Sequence, residues 1–176
     1  FSDQELNRQR LVALIQAQFA KGPLQEHDGL LNLFSYTGAF SVAAIAAGAR
    51  FSTSVDVSAR YLDWERKNFE ANFGGIDTVL NRRICEDSRE FLRRELKRES
   101  KYRWIVIDPP TFSRGKGKVF KVQDELMELA EVALRLVLPG GAVLLSTNDA
   151  RWSERDFYTS LEVFAKKNES WKKSYS

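Results

Sequence analysis

Apolar residues recur along the chain in two alternating rhythms, one of period near four and one of short unbroken runs. Leu11, Leu14, Ile15 and Phe19 fall at helical spacing over residues 4–20, and Lys21, Gly22 and Pro23 close that segment. The run GLLNLF at 29–34 predicts a buried strand. It turns through Ser35, Tyr36, Thr37 and Gly38 into a small-residue helix, AFSVAAIAAGA, that stops near Gly48. Residues 51–56 predict a second strand ending on Asp56. Ser58 is placed to cap the helix that follows, where Tyr61, Leu62, Phe69 and Phe73 share a face before Gly74 and Gly75.

The unit then repeats. A third strand over 78–85 contains Cys85, read as a small core residue, and ends near Asp87. Asp87 and Glu90 suit a capping box for the helix EFLRRELKRES. A fourth strand, RWIVI at 103–107, runs into Asp108, Pro109 and Pro110. Past a polar loop, DELMELAEVALRLVL predicts a helix closed by Pro139, Gly140 and Gly141. The strand AVLLS then reaches Thr147 and Asn148, and a last helix begins near Ser153. Strict alternation of apolar strands with helices predicts an α/β fold: a doubly wound, mostly parallel, Rossmann-like sheet with helices on both faces. Residues 1–28 are expected to form a helical segment packed on the core, and 29–176 the ligand-binding domain.

Composition narrows the chemistry rather than the fold. With one cysteine and one histidine (His27, read as a loop residue), disulfide frameworks, metal clusters and His-based triads are all disfavoured. A net charge of +3 permits a polyanionic partner without demanding one. No apolar run approaches the roughly 20 residues that span a bilayer, and no signal peptide opens the chain, so the cytoplasm is the expected compartment.

The chemistry gathers where strands end. Ligands of doubly wound sheets bind beyond the carboxyl ends of the strands, and each predicted exit is polar: residues 35–38, Asp56, Asp87, Asp108, and Thr147 with Asn148. Gly38 lets the backbone approach a ligand at a helix N-terminus. A carboxylate at Asp56 can accept both hydroxyls of a ribose, and one at Asp87 can accept an adenine amino group. Pro109 and Pro110 fix an extended backbone without donors and leave carbonyls for a substrate. A nicotinamide cofactor fits poorly, because the first turn, SYTGAF, carries one glycine where G-x-G-x-x-G is usual.

LNLFSYTGAFSVAAIAAGA, VDVSARYLDWERKNFEAN, EDSREFL and YRWIVIDPPTFSR, taken in order, resemble the class I S-adenosylmethionine-dependent methyltransferases of large-subunit (23S) ribosomal RNA. The match is to the guanine-N7 branch, and the cytosine-C5 branch shares the FSYTG turn. The resemblance implies S-adenosyl-L-methionine as cofactor, with S-adenosyl-L-homocysteine as product. It places Ser35, Tyr36, Thr37 and Gly38 at the methionine end, Asp56 with Val57 at the ribose, Asp87 and Ser88 at the adenine edge, and Asp108 facing the methyl group. FSDQELNR matches a segment that packs over the cofactor in relatives, through Asp3 and Arg8, although Glu5 stands where relatives carry arginine. Relatives also place an RNA-binding domain ahead of this region and close the sheet with a final hairpin. The chain is therefore expected to be part of a longer protein and to lack the last strands.

Cytosine C5 needs a cysteine nucleophile, and none follows strand four or five, whereas guanine N7 offers an in-plane lone pair unaided. Asp108, Pro109, Pro110 and Phe112 are the candidates for holding the target base, Phe112 by stacking. Thr111 separates Pro110 from Phe112, which favours N7 over an exocyclic amine. Arg114, Lys116, Lys118 and Lys121 are candidates for an RNA-phosphate lid, and the RRELKR cluster reads as surface charge. The alternatives are a methyltransferase of a small molecule or protein, and a non-catalytic RNA-binding module of the same fold. No metal and no membrane partner are expected.

Overall fold

The computed structural model describes residues 4–74, 80–110, 114–115, 118–119, 122–147 and 153–167. Six helices, α1 (Glu5–Phe19), α2 (Ala39–Ala46), α3 (Ala59–Phe73), α4 (Ser88–Lys97), α5 (Val122–Leu136) and α6 (Glu154–Lys167), alternate with strands among these residues. The strands are β1 (Leu30–Leu33), β2 (Ser52–Asp56), β3 (Asn81–Cys85), β4 (Tyr102–Ile107), β5 (Arg114–Gly115), β6 (Lys118–Val119) and β7 (Val137–Leu145). Five of them form one sheet in the order β3-β2-β1-β4-β7, every pair parallel, as the strand–helix alternation requires. β5 and β6 form a short antiparallel hairpin within the segment expected to be a loop.

Side-chain alternation splits the core into two layers. Leu31, Leu33, Ile105 and Ile107 face α4 and α5, meeting Phe91, Leu92, Leu126 and Leu136. Leu30, Trp104 and Val106 face the other way, against Leu11 and Ile15 of α1, Phe40, Ala44 and Ile45 of α2, and Phe69 of α3. The fully buried Ala44 lets α2 lie close to the sheet. At the amino end of β4 the buried Asp28 carboxylate accepts from Arg103 Nε at 2.7 Å, and the same guanidinium donates to the Pro139 carbonyl.

The helix predicted from the spacing of Leu11, Leu14, Ile15 and Phe19 is formed, with Leu11 and Ile15 buried and Leu14 and Phe19 exposed. Three expectations are corrected. Cys85 is not a core residue: it is the last residue of the edge strand β3, is exposed, and donates through Sγ to the Val57 carbonyl. Tyr61 does not join Leu62 and Phe69 on the inner face of α3, but stands edge-on to Tyr36 with ring centroids 4.5 Å apart. Finally, α5 ends at Leu136 and Val137 already pairs with Tyr102, so Pro139, Gly140 and Gly141 form an irregularity inside β7 instead of a turn before it. Gly141 is required there, since a side chain would collide with the Arg103 carbonyl.

Candidate active site

β1 is flanked by β2 on one side and by β4 on the other, and the helices that follow β1 and β4 pack on opposite faces. Such a switch point opens a crevice at the carboxyl ends of the two strands. A cavity of about 370 Å³ lies there. Its walls are Phe34, Ser35, Tyr36 and Thr37 from the end of β1, Asp56, Val57 and Ser58 from β2, and Asp108, Pro109 and Pro110 from β4. Gln4 and Arg8 of the N-terminal segment, with Ala39, Phe40 and Tyr61, complete it. A second depression, lined by His27, Arg82 and Tyr102 among others, lies at the opposite end of the strands, away from the candidate residues.

The loop after β1 is held by several independent bonds. Phe34 and Tyr36 both adopt positive φ, at 57° and 51°, a conformation that side chains other than glycine rarely take. Such strain persists where the surroundings impose it. Tyr36 N–H donates to Asp56 Oδ2 at 3.0 Å, Asn68 Nδ2 donates to the Thr37 carbonyl at 2.9 Å, and Gly38 N–H donates to the Ser35 carbonyl at 2.8 Å. Ser58 N–H donates to the other Asp56 oxygen at 2.8 Å, and the Ser58 hydroxyl caps α3 at Tyr61. Asp56 is thereby fixed by backbone on both sides, with acceptor capacity remaining on each oxygen.

Beneath the loop lies a buried polar network. Glu65 of α3 is fully buried. Its Oε2 accepts from Ser35 Oγ at 3.2 Å, while Oε1 accepts from Ser54 Oγ and from Asn81 Nδ2 at 2.9 Å. Ser54 is linked in turn to Ser41, which takes a hydrogen bond from Asn32 of β1 at 2.9 Å. Burial pushes the Glu65 carboxyl above its ordinary pKa, although the bonds from Ser54, Asn81 and Ser35 pull it down. Across the cavity, Asp108 Oδ1 accepts from Ser146 Oγ of the β7 exit and from Gln4 Nε2 at 3.2 Å, which ties the start of α1 to the exit of β4.

Of the residues singled out by sequence, Arg8, Ser35, Tyr36, Thr37, Asp56, Val57, Asp108, Pro109 and Pro110 come together around this one cavity. Gly38 does not line it. A positive φ of 74° and the Glu65 side chain lying where its Cβ would be explain that glycine without a ligand. Asp87 and Ser88 stand outside the lining. Asp87 caps α4 through Arg89 N–H at 2.9 Å, and Ser88 is buried behind it. Burial raises the Asp87 carboxyl, but the Arg89 guanidinium and backbone outweigh it and hold the group below the ordinary value. Arg114 and Lys118 lie on the β5–β6 hairpin, with their side chains outside the described residues. Asp3, Phe112, Lys116 and Lys121 lie outside the described residues altogether. Gln4, Tyr61, Glu65 and Ser146 were missed. Ser58 as a cap and Ser146 at a strand exit had a local signal, whereas Gln4 and Glu65 had none.

Residues 8–171 match a family model described as S-adenosylmethionine-dependent methyltransferase. Over 120 residues, 67% of the chain, it is 43% identical to ribosomal RNA large subunit methyltransferase K/L of Pseudomonas paraeruginosa, covering 16% of that protein. It is 38% identical over 120 residues to ribosomal RNA large subunit methyltransferase K of Neisseria meningitidis, again 67% of the chain, covering 33% of that protein. The chain thus spans a third or less of the length of these curated relatives. Among solved structures it is similar to a SAM-dependent methyltransferase from Agrobacterium tumefaciens, with TM-score 0.79, 29% identity, and coverage of 94% of this chain and 50% of that one. It is also similar to a chain described as a methyltransferase and solved in complex with SAH, with TM-score 0.76 and 31% identity over 92% of this chain and 40% of that one.

Proposed function

The chain belongs to the S-adenosylmethionine-dependent methyltransferases, and on that premise we propose that it methylates a base of large-subunit ribosomal RNA, with guanine N7 as the acceptor. The carrying observation is that one cavity at the β1–β4 switch point gathers Asp56, Asp108, Pro109 and the strained loop 34–37. The donor set fits the cofactor. A ribose diol finds an acceptor in Asp56, which retains lone pairs beyond its two backbone bonds. The aromatic rings of Phe40 and Tyr61 supply apolar wall, and Asp108 gives the cavity a second carboxylate. In this reading Ser35, Tyr36 and Thr37 hold the methionine end, on a turn whose shape Gly38 permits, and Val57 lies along the nucleoside. Gln4 and Arg8 cover it, and Asp87, one strand further along the sheet, is the acceptor for the adenine edge, with Ser88 buried behind it.

When bound, S-adenosylmethionine supplies an electrophilic methyl group. The protein's part is then alignment of donor and acceptor. Asp108, oriented by Ser146 and Gln4, and the Pro109 carbonyl offer acceptors that can position the target base, and guanine N7, which already carries an in-plane lone pair, needs no general base. The names of the curated relatives support a ribosomal RNA substrate. Cytosine C5 is disfavoured because the one cysteine, Cys85, is absent from the cavity lining. The test is to incubate the protein with methyl-labelled cofactor and an unmodified large-subunit rRNA transcript, then digest and identify the labelled nucleoside. Labelled 7-methylguanosine is expected. A labelled exocyclic amine would correct the acceptor atom, and RNA without label would overturn the reading.

A further inference from the structure

The outer face of α3 carries an aromatic side chain that the core does not use. Leu62, Glu65 and Phe69 face inward, whereas Trp64 is 42% exposed. Arg60, Trp64 and Lys67 follow one another at i, i+4 and i+7 and so form a single stripe. The Arg60 guanidinium lies 5.7 Å from the Trp64 ring centroid, a cation–π arrangement that holds the indole in place. Beside the stripe is a shallow pocket formed by Thr37, Trp64, Lys67 and Asn68. Thr37 belongs also to the central cavity, and its carbonyl accepts from Asn68. Thr37 therefore borders both depressions.

Charge on this face is mixed but leans positive. Asp63 is bridged by Arg66 and Lys67, each at 2.9 Å, and Arg66 is paired with Glu70. Arg60, Arg66 and Lys67 thus outnumber Asp63 and Glu70 on the exposed side of α3. An exposed indole backed by a guanidinium and edged by an ammonium is the combination that single-stranded nucleic acid uses: a flat base stacks on the ring while its phosphates meet the cations.

We propose that Trp64, with Arg60 and Lys67, forms a stacking subsite for an unpaired nucleotide of RNA flanking the one delivered to the cavity. The inference rests on the RNA reading above and adds a contact outside the cofactor site. The partner reaches this face as single strand, since a base locked in a duplex has no face free for the indole.

The test uses fluorescence anisotropy of a fluorescein-labelled, mixed-sequence single-stranded RNA oligonucleotide, with cofactor affinity and melting temperature measured in parallel. Trp64→Ala is expected to weaken RNA binding by about 5- to 150-fold, the loss of one base–aromatic stack. Cofactor affinity and melting temperature should stay unchanged, and Trp64→Phe should restore most of the binding. Arg60→Ala is expected to lower the log–log salt slope of RNA binding by about 0.7, one phosphate contact on a single strand. If Trp64→Ala binds the RNA as tightly as the unsubstituted protein, this subsite is overturned while the RNA reading stands, and the face is left to a protein partner. If the unsubstituted protein neither binds nor methylates RNA, both fall together.

Discussion

Gly38 and Glu65 share one volume: the Glu65 Cγ, Cδ and Oε1 atoms stand where a Gly38 side chain would begin. The carboxylate in that place also accepts from Ser35, three residues earlier in the same loop. The turn that borders the cavity is therefore moulded on a buried side chain of α3, and its glycine answers to that side chain.

Gly38→Ala should accordingly destabilise the protein by at least about 1 kcal/mol, the strain of a positive φ, with displacement of Glu65 added to it. Cofactor affinity should fall with stability, because Ser35 and Tyr36 move with the loop. Combining Gly38→Ala with Glu65→Ala should cost less than the sum of the two by more than about 0.5 kcal/mol, as expected for residues in contact. Denaturant unfolding of the four proteins measures this, and strict additivity would contradict the shared volume.

Glu65 also sets a pH dependence. Its carboxyl is raised in the folded state, chiefly by burial, so the folded protein holds this proton to higher pH than the unfolded chain does. Its contribution to stability is fully present below the ordinary glutamate value of about 4.3 and is lost as pH rises from there towards the raised folded value. Glu65→Gln cannot lose a proton and keeps both an acceptor for Ser54 and Asn81 and a donor for Ser35. Its stability relative to the parent should rise with pH across that window. A difference that stays flat with pH would contradict the assignment.

The architecture was legible because it rests on local signals. Apolar strands, glycine stops and the caps at Ser58 and Asp87 each act within a few residues, and polar strand exits fall on one edge in any parallel sheet. The acids at 56 and 108 could be read this way, since each directly ends a strand. Glu65 could not. On α3 it is one charge among Asp63, Arg66 and Lys67, and only the placement of Ser35, Ser54 and Asn81 around it makes its burial tolerable. Gln4 was hidden for the same reason, its partner Asp108 lying 104 residues away. Cys85 and Tyr61 were misread because a strand's edge position and a helix's second face are set by neighbours, which periodicity does not reveal.

The Asp28–Arg103 pair anchors the opposite end of the sheet, where a fully buried carboxylate meets a largely buried guanidinium at 2.7 Å. Removing one partner leaves the other charge buried and unpaired. Asp28→Ala should lower unfolding free energy by about 3–5 kcal/mol, and Asp28→Asn by less. Urea unfolding gives the values, and a loss below about 1 kcal/mol would mean that water already reaches the pair.

Asp108 is held by Ser146 and Gln4 at the mouth of the cavity. Asp108→Ala should cut single-turnover methyl transfer by about 100-fold or more, the scale for losing one preorganised polar group, and leave the melting temperature within a few degrees. Unchanged turnover would remove Asp108 from the chemistry.

The cavity between residues 34–37 and 108–110 is proposed as a cofactor site built around Asp56. Calorimetric titration with S-adenosylmethionine, with NAD as the control and Asp56→Ala as the comparison, tests it most directly. Micromolar binding of S-adenosylmethionine, no heat from NAD, and loss of binding in Asp56→Ala are expected. Equal affinity in Asp56→Ala, or binding of NAD in place of S-adenosylmethionine, would contradict it.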